Sequence, residues 1–314
     1  MSRKGWLLFV AMSVIWGIPY LLIRVAIREL SPPTLVFVRT APAALILLPF
    51  ALRRNRLPQL AARWRWIIAF AVVELGLPWL FLTRAEQHVT SSTAGLLVAS
   101  VPLIASVVYR LSPHTDRLDQ RRVVGLLIGF AGVAVLVGFD LGRANHVALA
   151  EVGVVALGYA LGPLIVSRRL SDLPSLGVIG AAMALTALVY APFARVPHHL
   201  DSEVVLAVLG LTFICTTLAF VLFFALIAEV GPSRSTVITY CNPAVAIVLG
   251  VLVLNEPFTI GLALGFPLII AGSVVATRKQ PDDGDGDVDV DPTFTASPPA
   301  GPRRAQRGRE PDCR

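Results

Sequence analysis

Apolar runs of about twenty residues recur along the whole of this 314-residue chain, and few folds can accommodate them. A helix needs ~20 mostly apolar residues to cross the hydrocarbon core of a bilayer. About ten runs qualify, near 5–23, 33–52, 65–83, 89–109, 121–139, 147–166, 174–194, 204–228, 233–254 and 259–277. Charged residues make up 15% of the chain, against ~25% for a soluble domain. The mean hydropathy is +0.73. These features predict an all-α membrane protein with about ten transmembrane helices. The first run follows Met-Ser-Arg-Lys, is too long for a signal-peptide core and lacks a small-residue cleavage pattern. It reads as the first spanning helix.

The net charge of +7 invites a nucleic-acid reading, but the placement of the charges does not support it. With the N-terminus inside, 16 Lys and Arg fall on the inner side and 5 on the outer, leaving aside Arg39 and the far tail. Basic residues favour cytoplasmic loops, so this asymmetry predicts a multi-pass protein of the cell (plasma or inner) membrane with both termini cytoplasmic. The basic surplus is a topology signal, and no nucleic acid is expected as a partner. Residues 278–314 are rich in Asp, Pro, Gly and Arg without an apolar period, and they read as a disordered cytoplasmic tail. Cys215 and Cys241 lie in apolar runs, and Cys313 is near the end of the tail. The adjacent His198 and His199 lack a third ligand. No metal site or cofactor is expected.

The sequence also resembles itself. Asp116 to Leu136 aligns with Glu256 to Ala276, with Gly125 and Gly132 falling on Gly265 and Gly272. Upstream, Ser92 falls on Ser233 and Pro102 on Pro243. Further back, Trp16 falls on Tyr159 and Leu30 on Leu173. Five spans thus repeat as five more. Because five is odd, the second set enters the membrane from the opposite side, an inverted-topology 5+5 repeat. The expected organisation is a first repeat over 1–139, a second over 140–277 and the tail over 278–314. Inverted repeats build secondary transporters, whose substrate site lies near the midplane between the halves.

The membrane part, roughly residues 5–277, resembles an EamA-type member of the drug/metabolite transporter (DMT) superfamily. The resemblance rests on Trp16-Gly17, on Arg39 after PPTLVFV, and on TSSTAGLLVASVPL in the fourth span. It rests further on GPSRSTVITYCNPAVAIVLGVLVLNEP around the ninth span and GFPLIIAG in the tenth. In the first repeat Asp116-Arg117 stands where the family usually has Glu-Arg or Glu-Pro. The resemblance implies ten helices, with a central cavity lined by helices one to four and six to nine and with helices five and ten at the periphery. It implies a small metabolite, amino acid or drug as substrate.

One carboxylate lies at membrane depth. Glu74 sits in the middle of the third span, within FAVVELGLPWLF. An uncompensated charge at the bilayer centre costs on the order of 3 kcal/mol by insertion scales. Glu74 should therefore face protein or a wet cavity, as a proton carrier, as a ligand for a substrate amine, or as a silent structural acid. Arg39 lies ~9 Å below the outer end of its span and Glu74 ~13 Å below the same surface, so the two are candidates for a pair. The alternative for Arg39 is to reach outward to the interface.

Trp16, Tyr20, Tyr159 and Tyr240 combine an aromatic face with a polar tip suited to substrate stacking or cation binding. Phe70 shares the helical face of Glu74. Pro102 and Pro243 interrupt their helices at equivalent places, with Asn242 beside the second. These residues are the expected cavity lining. Glu151 reads as a boundary residue of the sixth span, and the glycines of spans five and ten as close-packing positions.

No Walker, HExxH or GxSxG motif is present, so ATP hydrolysis and familiar hydrolase chemistry lack their parts. The expectation is a secondary active transporter working by alternating access, with protons entering through Glu74. An intramembrane enzyme or a membrane scaffold is the rival reading. Oligomeric state is not legible.

Overall fold

Lipid offers no hydrogen-bond partner, so a spanning backbone has to satisfy its own amides. The computed structural model meets this demand with helices throughout. It describes residues 2–52, 57–110, 120–141, 146–231, 235 and 237–277, and no strand occurs among them. The expected tail and Asp116 lie outside the described residues. Ten apolar helical segments succeed one another. They are α1 Arg3–Ala26, α2 Pro32–Leu52, α3 Trp64–Ala85, α4 Ser91–Val108, α5 Gln120–Leu136, α6 His146–Leu170, α7 Ser175–Phe193, α8 Ser202–Val230, α9 Ile238–Val253 and α10 Ile260–Thr277. Among the described residues, seven are long and apolar enough to cross a membrane, and α5, α9 and α10 are shorter. The large apolar residues exposed on these helices, such as Leu7, Leu45, Leu127 and Leu252, are the kind a lipid-facing surface requires.

The helices pair α1 with α8, α2 with α7, α3 with α6, α4 with α9 and α5 with α10. Glycines set the closest approaches. A Cβ on Gly132 of α5 would lie 2.8 Å from the Ile269 amide nitrogen, and one on Gly272 of α10 would strike the Gly129 backbone. The small residues at these positions thus let two backbones touch, as their spacing predicts.

Two helices break where proline withholds an amide. The α1 helix turns at Trp16–Gly17 and resumes at Pro19. The α4 helix stops at Val98 and resumes at Val101, placing Pro102 in a first turn where its missing N–H costs little. Pro243 departs from the expected interruption, because α9 runs through it unbroken. Its ring removes only the bond to the Thr239 carbonyl, and Thr239 lines a cavity where other polar groups can take over.

One end of the bundle carries the α1–α2, α3–α4, α7–α8 and α9–α10 connections. Arg28 pairs with Glu203 at 3.0 Å, and Arg84 with Glu151 at 2.7 Å. Glu256 of the α9–α10 link accepts the backbone amides of Ser91 (2.7 Å) and Ser92 (3.0 Å) and the Ser92 hydroxyl (2.6 Å). A carboxylate there caps the orphan amides and the positive end of α4. At the opposite end Lys4 meets Glu229 at 3.4 Å and Arg63 meets Asp172 at 3.1 Å. Exposed pairs of this kind contribute ~0–1 kcal/mol each.

Candidate functional site

Pro78 has no amide to return to the Glu74 carbonyl, and the chain just before it adapts. Residues Ala71–Gly76 widen into a π-helix, the Leu77 amide reaches back to Val72, and the Tyr190 hydroxyl donates to the Gly76 carbonyl at 3.0 Å. An inserted π turn rotates the later part of a helix about its axis relative to the earlier part. Glu74 lies inside it, against α6, where a Cβ on Gly162 would strike the Glu74 carboxylate. Gly162 leaves the space that this carboxylate fills. The Glu74 Oε2 atom is buried and has no hydrogen-bond partner among the described residues.

A second π-helix, Gly210–Leu218, lies within α8. Its Thr217 hydroxyl donates to the Thr212 carbonyl five residues back at 2.9 Å. Its Thr216 accepts from Arg39 Nε at 2.7 Å. Arg39 is 8% exposed, and its guanidinium lies 3.6 Å from the centre of the Trp79 ring. The Tyr159 hydroxyl lies within electrostatic reach of both Glu74 and Arg39. Arg39 therefore neither pairs with Glu74 nor reaches outward to the interface. Thr216 and Trp79 anchor it, while Glu74 is left without a counter-ion.

These groups surround a cavity of about 270 Å³. Of the residues expected from sequence, it gathers Trp16, Tyr20, Arg39, Glu74, Tyr159, Asn242 and Pro243. Trp16 packs on Phe223 (4.6 Å between ring centres) and edge-on to Phe220 (6.0 Å). The Asn242 amide, oriented to satisfy both neighbours, donates to the Ser13 carbonyl at 3.0 Å and the Ile238 carbonyl at 2.9 Å. It ties α9 to the break in α1.

Three expected lining residues lie elsewhere. Phe70 is buried with Ala43, Leu47 and Ile179 in the core between α2, α3 and α7. Pro102 lies beyond the break in α4, below Val98, Ala99 and Val101, which do line the cavity. The Tyr240 hydroxyl donates to the Ser273 carbonyl at 3.3 Å, so this ring turns toward α10.

Sequence reasoning missed Trp79, Thr216, Cys215, Phe220 and Phe223, all at the cavity or holding its arginine. The Cys-Thr-Thr cluster in an otherwise apolar run was a signal for the first contacts of Arg39. Among the described residues no group of His, Cys, Asp or Glu is placed to hold a metal.

Comparisons with known proteins agree with this architecture. The chain is 30% identical over 252 residues to the "Uncharacterized inner membrane transporter YedA" of Escherichia coli (strain K12), covering 76% of this chain and 79% of that protein. It is 24% identical over 283 residues to the "Uncharacterized transporter YvbV" of Bacillus subtilis (strain 168), covering 87% and 92%. An "Uncharacterized transporter" of Archaeoglobus fulgidus is 22% identical over 287 residues, covering 88% of this chain and all of that one. A crystal structure 24% identical in sequence superposes with a TM-score of 0.61 over 88% of this chain and 98% of its own, which shows a shared fold. The profile of the EamA-like transporter family matches residues 3–138 and again 152–278. An apolar helical bundle around a cavity that holds Arg39 and Glu74, matched by this family along nearly all of its membrane part, is a multi-pass membrane protein of the EamA-like transporter family within the DMT superfamily.

Proposed function

We propose that the protein is a secondary active transporter that carries a small molecule through its central cavity by alternating access, with Glu74 as the proton-coupling group. The observation that carries this reading is the asymmetry between two ionisable side chains of the cavity. Arg39 is fixed by Thr216 and Trp79, whereas Glu74, also at the cavity, has a buried Oε2 with no hydrogen-bond partner among the described residues. A buried carboxylate without a donor is costly when ionised. It is therefore suited to taking a proton, or a substrate amine, and giving it up when the cavity changes sides. Arg39 offers the fixed positive counterpart for an acidic or carbonyl group of the cargo, and the aromatic walls accept its apolar part.

The internal repeat belongs to this proposal, with halves over 1–139 and 140–277. The double match to the family profile supports it. So do the helix pairings: exchanging each helix with the one five places later returns α2–α7, α4–α9 and α5–α10 to themselves and converts α1–α8 into α3–α6. Halves related in this way can trade conformations, opening the cavity first to one side and then to the other. Both termini cytoplasmic, in the cell membrane, completes the reading.

Comparing metabolites in deletion and overexpression cells supplies a cargo for flux measurements in proteoliposomes. Glu74→Gln keeps the shape and removes the titration. It is expected to retain counterflow exchange and to lose accumulation driven by an imposed pH gradient. Undiminished gradient-driven accumulation in this variant would return Glu74 to a structural role.

A further inference from the structure

A second carboxylate is buried outside the cavity. Glu86 comes directly after the last residue of α3 and is 0% exposed. Neither of its carboxylate oxygens has a hydrogen-bond partner among the described residues. The Arg24 guanidinium bonds the Glu86 backbone carbonyl instead. Burial pushes the Glu86 carboxyl well above the usual carboxylate range; Arg24 opposes this, the Glu256 charge adds to it, and Arg39 opposes it weakly. Its place at the C-terminal end of α3, where the helix dipole is negative, also disfavours a charge. The facing groups are Tyr20 and Arg24 from α1, Arg39 from α2 and Glu256 from the α9–α10 link. Its own segment carries His88 and Arg84, the latter paired with Glu151 of α6.

The position explains what such a group does. On one side lies Tyr20, part of the cavity wall. On the other lies a vestibule of about 640 Å³ lined by Arg24, Arg28, Gln87, Thr90 and Glu256. Glu86 thus separates groups of the vestibule, Arg24, Gln87 and Glu256, from groups of the cavity, Tyr20 and Arg39, where a passage between the two would run. Three elements meet there: the end of α1, the α3–α4 link and the Glu256 cap on α4.

We propose that Glu86 is a proton-operated latch on this end of the bundle. With its carboxyl protonated the passage is closed; when the passage parts, the proton passes to vestibule water and the carboxylate becomes hydrated. The closed form holds one more proton than the open one. Linkage therefore favours closure at low pH and opening as pH rises through the carboxyl pKa of the closed form. The proposal rests on the alternating-access reading but not on Glu74.

Hydrogen exchange of the full chain in lipid nanodiscs, without added cargo, tests it at pH 5.5 and 8.5. After correction for intrinsic rates, amides over 84–94 and 250–260 are expected to exchange at least threefold faster at the higher pH. Glu86→Gln, a permanently neutral isostere, should hold the slow rate at both, and Glu86→Asp should keep a rise. Glu74→Gln should behave as the wild type does, which separates failure of the latch from failure of the coupling role. A wild type without the rise, or a Glu86→Gln variant with it, would overturn the latch. So would a Glu86→Gln chain that cannot fold, because a carboxyl neutral in the closed form is replaceable by an amide.

Discussion

Two ionisable side chains of the spanning helices are treated differently by their surroundings, and the difference lies in single contacts. Arg39 lies on an indole face with its Nε bonded to Thr216. A lysine reproduces the charge but neither the planar stack nor the Nε bond. Arg39→Lys is therefore expected to lower cargo affinity about tenfold, consistent with ~1.5 kcal/mol for a charged hydrogen bond, while leaving the fold intact. Binding to purified protein, measured beside thermal unfolding, checks both halves. Glu74 depends on a missing side chain instead. A methyl group on Gly162 would occupy the space of its carboxylate. Gly162→Ala should displace Glu74 and cut pH-driven flux at least tenfold, with a stability loss of ~1–3 kcal/mol from overpacking. Flux equal to wild type in Gly162→Ala would show that the position of the Glu74 carboxylate is not critical.

At the scale of elements, the site is built where regular helix fails. The π turns of α3 and α8 present Glu74 and Thr216, and the break in α1 brings Trp16 and Tyr20 to the cavity. Each irregularity leaves backbone groups to be satisfied by a neighbour, as Tyr190 does for Gly76. The cap on α4 is the clearest case of one element completing another. Glu256→Gln leaves one acceptor oxygen where two now receive three donors. It should destabilise the protein by ~1–2 kcal/mol, read as a lower unfolding midpoint. An unchanged midpoint would mean that the cap is replaced by water at no cost.

For the molecule as a whole, the alternation of helix ends predicts which loops share a side. His199 and Ser171 are both exposed, on the α7–α8 and α6–α7 connections. In a background without native cysteines, His199→Cys is expected to react with a membrane-impermeant maleimide in intact cells, whereas Ser171→Cys reacts only after permeabilisation. The reverse result would invert the proposed orientation without disturbing the pairing of helices.

The sequence alone determined that the chain is helical and membrane-embedded, roughly where each helix runs, and that Glu74 and Arg39 are exceptional. Those conclusions rest on apolar length, glycine and proline positions and charge, all local quantities. Which side chains share the cavity was decided by tertiary structure. Phe70 was expected beside Glu74 at the cavity, and side chains of α2 and α7 enclose it instead. Tyr240 was expected inward, and a carbonyl of α10 takes its hydroxyl. Glu86 has the look of an ordinary helix-end residue, yet the ends of α1, α3 and α4 close over it. Whether a polar group is paired or solitary depends on what a distant segment brings to it, and that is settled only when the helices pack.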